Sequence, residues 1–465
     1  MANKIGILSL GCARNLVDSE VIAERLQKKG YRIVDLDPVR NSISNGVDKA
    51  DIALVNTCAF IKEAKEESIQ MILDLIEAKL EGRLKKIIVA GCLSQRYKEQ
   101  LHELLPEIDA FQGILSLNHT QKRFHLTPAH YGYIKICEGC INSCSFCAIP
   151  KIKPRFISVD LESIIFQVKI LESRGCREIN LIGQDITAYG WDLHGQFRLV
   201  DLIKQILKNI ERMNSAPLGI SEGLPHKERC GINWLRLLYL SPERLSEELI
   251  ELIASCPRIV KYIDLPLQHI NDRILKLMQR NITSNQIYKL IDKIRKKIPN
   301  VAIRTSLIVG FPSETEEEFK QLLDFIQKIK FERLGAFMYS REEDTQAFAF
   351  SGQLPQKIKE ERYNIIMSCQ QEIARQINER WQGRTLEVLI EEEQKDPLLY
   401  QGCAVLSSET LRAHKGSLYI GRSQYDAPEV DGLVYVRSRN NLLVGDFVEA
   451  KIIDTLEYDL VGEAL

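Results

Sequence analysis

Apolar positions follow two alternating rhythms over the first 125 residues. Unbroken runs at 4–10, 51–56 and 86–90 predict buried strands, and three-to-four-residue spacing at 15–29, 62–80 and 94–105 predicts amphipathic helices. Strands separated by helices imply parallel βαβ units and an open α/β sheet. Residues 117–130, of mixed polarity and carrying Pro128, read as a linker. The alternation restarts at Tyr131, with strands predicted at 132–136, 178–182, 234–239, 262–265, 302–309 and 333–338. Helical spacing fills the intervals at 160–174, 199–209, 246–254, 284–297 and 314–328. Six strand–helix repeats are too few for a closed eight-stranded barrel and predict a partial (β/α)6 barrel. Residues 214–231, rich in Gly, Pro and charge, read as a surface insertion. A helix over 356–380 leads out of this unit. Short runs at 386–391, 418–421, 433–436 and 447–453, separated by Gly, Asn and Asp, then predict a small all-β barrel. The expected class is α/β, divided at 1–126, 127–380 and 381–465.

Composition narrows the setting. A chain of 465 residues, 45% of them hydrophobic, is long enough for three packed units at about 150 residues each. No segment approaches the roughly 20 apolar residues of a membrane helix, and residues 1–10 are too short and Gly-interrupted for a signal peptide. A cytoplasmic location is expected. Twelve cysteines are far below the roughly 8–10% of a disulfide scaffold, so thiols are expected to serve as ligands or buried apolar groups. Net charge is −1 overall, but residues 381–465 hold 8 Lys+Arg against 15 Asp+Glu, a balance of −7 that leaves +6 on the rest.

The chemistry centres on Cys140-x-x-x-Cys144-x-x-Cys147, placed after a predicted strand. Three thiolates can hold three irons of a four-iron cluster and leave the fourth open, the condition for catalysis at a metal. Zinc usually takes two separated Cys-x-x-Cys clips or histidines, and no second such clip exists here. With Phe146 before its last cysteine, the motif resembles that of the radical S-adenosylmethionine superfamily. By that resemblance, Gln184 and Asp185 after the second strand meet the cosubstrate's amino group. Gly310 and Pro312 after the fifth lie on its adenine side, and Phe146 lines the same site. Alone, either segment reads as ordinary strand-end punctuation.

A second trio is less obvious. Cys12, Cys58 and Cys92 each follow one of the first three predicted strands, and parallel strands bring those ends to one edge. A second open-iron cluster competes here with three unrelated core cysteines. The remaining six (Cys137, Cys176, Cys230, Cys256, Cys369 and Cys403) read as small buried hydrophobes.

Two cysteine trios followed by a β module resemble the methylthiotransferase family over essentially the whole chain. The resemblance rests on Ser9-Leu10-Gly11-Cys12-Ala13-Arg14-Asn15-Leu16-Val17-Asp18-Ser19-Glu20, Asn56-Thr57-Cys58, Ala90-Gly91-Cys92 and the radical loop. Leu265-Pro266-Leu267-Gln268-His269 and Tyr339-Ser340-Arg341-Glu342-Glu343 extend it. Gly421-Arg422-Ser423 and Asp426-Ala427-Pro428-Glu429-Val430-Asp431-Gly432 resemble a TRAM domain. Cys137, Lys153-Pro154-Arg155 and the 214–231 insertion depart from the family pattern without removing a ligand.

The resemblance implies two 4Fe-4S clusters, with S-adenosylmethionine as cosubstrate. The Cys140/Cys144/Cys147 cluster generates a 5′-deoxyadenosyl radical, and the Cys12/Cys58/Cys92 cluster delivers methylated sulfur. It further implies an electron donor such as flavodoxin or ferredoxin, and a sulfur donor. Gln184-Asp185-x-x-Ala188-Tyr189-Gly190 points to the branch that converts the β-carbon of an aspartate of a small-subunit ribosomal protein to 3-methylthioaspartate. The acidic β module agrees with a basic protein substrate rather than a nucleic acid. The competing readings are the sister branch acting on a modified adenosine of tRNA, and an iron–sulfur RNA-binding protein without radical turnover.

Overall fold

The computed structural model describes residues 3–36, 49–114, 123–215, 231–394 and 416–465. Five parallel strands form the first sheet: β1 (Lys4–Ser9), β2 (Arg32–Asp35), β3 (Ile52–Thr57), β4 (Lys86–Gly91) and β5 (Ala110–Gln112). Their order is β2-β1-β3-β4-β5, with α1 (Ala13–Lys28), α2 (Lys62–Leu80) and α3 (Cys92–Leu104) as connections. Central β3 is buried along its whole length, as expected of a strand covered on both faces. The sequence reading found β1, β3 and β4. It missed β2 and β5, whose four and three residues are too few to show a periodicity.

The second unit begins with β6 (Tyr131–Lys135), followed by a two-residue antiparallel ribbon of β7 (Cys137–Glu138) and β8 (Ile157–Ser158). Next come β9 (Glu178–Ile182), β10 (Trp234–Leu237), β11 (Tyr262–Asp264), β12 (Ala302–Val309) and β13 (Arg333–Met338). Two parallel three-stranded sheets, β6-β9-β10 and β11-β12-β13, meet at a bridge between Leu235 and Ile259, which makes the predicted six-stranded open barrel. Helices α4 (Leu161–Ser173), α5 (Leu199–Ser215), α6 (Glu247–Ser255), α7 (Ser284–Lys297) and α8 (Glu316–Ile329) alternate with the strands. Asp160, Ser246, Thr283 and Thr315 cap four of them, each side chain accepting from the third backbone N–H. α9 (Gln356–Glu379) packs on β13.

Two expectations change. α5 runs two residues into the predicted insertion, of which residues 216–230 lie outside the described residues. Residues 117–122 of the predicted linker also lie outside them, but 123–130 is packed structure. Arg123, Thr127 and His130 are buried there, and Arg123 donates to Glu20 Oε2 (3.0 Å) and Tyr133 O (2.8 Å).

The C-terminal strands β14 (Thr385–Gln394), β15 (Ser417–Ser423), β16 (Val434–Ser438), β17 (Phe447–Thr455) and β18 (Leu460–Ala464) close into a barrel. Its motif residues dock on the amino-terminal ends of the large barrel's strands. Tyr131 and Tyr262 donate to Glu429 (2.7 Å) and Asp431 (2.6 Å), and Arg333 pairs with Asp426. Arg422 reaches Glu178 Oε2 (2.7 Å), itself held by Arg236 Nε (2.7 Å).

Candidate functional site

At the first sheet's carboxyl edge the chain places all three predicted thiols. Cys12 caps α1, Cys58 directly follows β3, and Cys92 opens α3. Strand order reverses between β1 and β3, the switch point where open α/β sheets hold ligands. Two left-handed glycines let the loops close in. A Cβ on Gly11 would stand 2.7 Å from Cys58 Cβ, and one on Gly91 2.7 Å from Thr57 O. Asn15 ties the three loops together: its Nδ2 donates to Leu10 O (3.0 Å) and Thr57 O (3.1 Å), while Cys92 Sγ lies 3.8 Å from its Oδ1.

Burial pushes the Cys58 thiol up and the Cys92 thiol to about 12. Cys12 is half-buried and desolvation raises it too, but the charge and hydrogen bond of Arg14 outweigh that and bring it below the usual thiol value. Among the described residues no three His, Cys, Asp or Glu side chains close on a single metal ion. Three thiols arriving from three separate loops instead suit a cluster, in which each thiolate takes a different iron.

The second trio lies in the loop pinned by the β7–β8 ribbon, at the carboxyl end of β6. Ser145 anchors it through N to Met278 O (3.1 Å) and Oγ to Leu277 O (2.7 Å). Asn142 N donates to Cys140 Sγ (3.4 Å), and Arg280 Nη1 lies 3.9 Å from Cys144 Sγ. Burial raises Cys140 to about 11 and Cys147 to about 12. Phe146 is half-buried in an apolar cluster with Ile308 and Phe311, which puts the 308–312 segment beside the loop. Gly310 stands against the Lys359 side chain of α9, and Pro312 is buried.

Asp185 and Gln184 differ. The Asp185 carboxylate is already engaged by Thr187 N (3.1 Å), Asn142 Nδ2 (3.1 Å) and Arg244. Gln184 Nε2 donates to Glu138 (3.4 Å), but its buried Oε1 has no partner. An orphaned buried carbonyl fits an ammonium donor, which makes Gln184 Oε1 the free acceptor here, whereas the carboxylates of Asp185 and Glu138 are both already engaged. Cys137 is fully buried on β7, its Sγ 3.5 Å from Asp185 O, and burial drives its thiol far up. Among the other unassigned cysteines, Cys176 is buried, Cys256 and Cys369 are half-buried, and Cys230 and Cys403 lie outside the described residues.

The first sheet caps the barrel's carboxyl edge through contacts that spacing alone did not reveal. Glu342, 1% exposed, takes Lys65 Nζ (2.6 Å) and Arg96 Nη1 (2.9 Å) from α2 and α3. Asp18 of α1 pairs with Lys135, and Glu138 with both Lys135 and Lys153. Burial, with Lys135 alongside, lowers Lys153 to about 8. The motif residues Asp18 and Glu342 thus serve the junction between units.

The acidic β barrel sits at the other end. β6 separates the Tyr131–Glu429 contact from the cysteine loop by five residues, about 17 Å of strand. Screening acts over about 8 Å at physiological salt, so the module's charge does not select what meets the cysteine edge.

Comparison with known proteins agrees with this architecture. Residues 134–326 match the Radical SAM superfamily, 4–113 the uncharacterized protein family UPF0004, and 383–465 the TRAM domain. A solved radical S-adenosylmethionine methyltransferase, TsrM from Kitasatospora setae, with cobalamin and a 4Fe-4S cluster bound, shares the fold at TM-score 0.53. Identity is 15%, over 75% of this chain and 77% of that one. The fold and the matched domains are those of a radical S-adenosylmethionine protein. Two curated relatives carry the name ribosomal protein uS12 methylthiotransferase RimO. That of Clostridioides difficile is 40% identical and that of Desulforamulus reducens 42%, each over 99% of both chains. The chain belongs to the RimO family of radical S-adenosylmethionine methylthiotransferases. Among the described residues no helix is long and apolar enough to cross a membrane.

Triple replacement of Cys140, Cys144 and Cys147 by Ala is expected to lower the iron of reconstituted protein from about eight to about four per chain. Colorimetric iron analysis checks this, and loss of all iron would contradict two independent sites.

Proposed function

We propose that this chain exchanges an unactivated C–H of an aspartate in ribosomal protein uS12 for C–SCH3, giving 3-methylthioaspartate. The likeness of the whole chain to relatives that carry the uS12 methylthiotransferase name supports the substrate. In this reading Cys140, Cys144 and Cys147 hold one cluster, Cys12, Cys58 and Cys92 the other, within units 1–126, 127–380 and 381–465. When bound, these groups supply the electron that cleaves S-adenosylmethionine and the sulfur that is transferred.

The protein's own residues bind and orient. Gln184 Oε1, next to Glu138, accepts from the cosubstrate ammonium, while Asp185 holds Asn142 and Arg244 in place at the cysteine loop. Phe146, Gly310 and Pro312 shape the apolar side. The cap formed by α1–α3 buries the Arg96–Glu342 pair at the junction, which keeps bulk water from that edge. An electron donor of the flavodoxin or ferredoxin type and a separate sulfur donor complete the cycle in the cytoplasm.

Offering uS12 and tRNA separately to the reduced, reconstituted enzyme tests the assignment. A methylthio mass gain on uS12 alone is expected. Modified tRNA with untouched uS12 would transfer the chain to the nucleic-acid branch.

A further inference from the structure

Arg14 belongs to neither cysteine trio, yet its half-buried side chain bridges the two units. Its Nε donates to Cys12 Sγ at 3.3 Å, and Nη1 donates to Gly183 O at 3.0 Å, across 169 residues of sequence. The guanidinium carbon lies 4.4 Å from the centroid of the Tyr239 ring. Tyr239, two residues past the end of β10, has a left-handed backbone conformation (φ 63°), rare for a bulky residue. That conformation is stabilised by Asp264 Oδ2 on its N–H (2.9 Å) and Ile186 N on its carbonyl (3.2 Å). The barrel therefore builds a rigid aromatic wall and a carbonyl acceptor around one cation contributed by the other unit.

That cation lacks the usual partner. Its side-chain contacts are a sulfur, a carbonyl and a ring face, and among the described residues no Asp or Glu forms an ion pair with it. A half-buried guanidinium with no acidic partner favours a negative counter-charge nearby, and a cluster on three thiolates supplies one. Hydrogen bonds to ligand sulfur and nearby charge are among the factors that set a cluster's reduction potential.

We propose that Arg14 is a positioning residue that holds the Cys12 sulfur against the barrel and raises the reduction potential of the N-terminal cluster. The proposal rests on Cys12, Cys58 and Cys92 being cluster ligands. It assigns Arg14 to the auxiliary site, with Gly183 and Tyr239 fixing the distance at which that site faces the radical loop.

The test uses the full chain with Cys140, Cys144 and Cys147 changed to Ala, so that only the N-terminal cluster is read. In this parent, Arg14→Met and Arg14→Lys are titrated with reductant and followed by electron paramagnetic resonance. Arg14→Met is expected to make one-electron reduction at least tenfold less favourable, about 59 mV towards negative potential. Arg14→Lys, which keeps the charge, recovers half or more of that shift. Retained iron with an unmoved potential in Arg14→Met would overturn the role. If Arg14→Met loses its iron, Arg14→Gln decides, because it removes the charge while keeping a hydrogen-bond donor beside the Cys12 loop. A shift in the same direction supports the role, and an unchanged potential ends it. A parent that takes up no iron would instead remove the ligand assignment, and this role with it.

Discussion

Changing Cys12 to Ala is expected to abolish methylthio transfer while 5′-deoxyadenosine is still released from S-adenosylmethionine. Cys12 stands at the carboxyl edge of the first sheet, and none of the contacts that shape the radical loop pass through it. Those run from Ser145 to Leu277 and Met278, and from Asn142 to Asp185. Cys12 is half-buried, so truncating it is expected to cost no more than about 1 kcal/mol of folding stability. The two activities therefore separate by site rather than by stability. One anaerobic incubation, with nucleoside release read by chromatography and substrate by mass spectrometry, measures both. A Cys12→Ala enzyme that completes the product would remove this thiol from sulfur delivery.

Arg422→Met is expected to destabilise the docked C-terminal barrel by about 3 kcal/mol, because it strands buried carboxylates. Arg422 is 1% exposed and donates to Glu178 Oε2 (2.7 Å), Glu391 Oε1 (2.7 Å) and Asp426 O (2.8 Å). Arg236 remains to Glu178 after the substitution, and His130 to Glu391, which keeps the loss at the lower end of the range for a broken buried pair. Burial raises the Glu391 carboxyl, but Arg422 and His130 outweigh it and bring it to about 2. A carboxyl lowered by folding contributes its stability above its ordinary value near 4.3 and loses it as pH falls towards 2. Native protein should thus hold this barrel at pH 5 and release it progressively below about 4, and Arg422→Met should release it at higher pH. Limited proteolysis between α9 and β14 across that range reads the difference; identical profiles would contradict it.

Both thiol trios were legible because their signal is local. A cysteine after each of three apolar runs needs only the rule that parallel strands share an edge, and strands β1, β3, β4, β9, β12 and β13 show clear runs. What escaped was non-local. Arg96 and Glu342 are 246 residues apart, and their meeting depends on how one unit sits on another, which no periodicity encodes. Asp185 is another case: its place after β9 identified the segment, but Arg244 and Asn142, which occupy its carboxylate, come from other loops. The acidic balance of residues 381–465 was read correctly as a number. It was misapplied, because composition does not say which end of a barrel a domain will close.

The Glu342 contacts also order events in time. Arg96 and the three N-terminal thiols are synthesised early, whereas Glu342 leaves the ribosome 246 residues later. At 5–20 residues per second, that interval is about 12 to 50 s. During it the first sheet, whose strands and connecting helices lie within residues 4–112, can fold with its cysteine edge open to solvent. The cap over the barrel forms only afterwards. The N-terminal thiols therefore stay accessible on the nascent chain until docking at Glu342 covers that edge, and variants that slow this docking lengthen the interval.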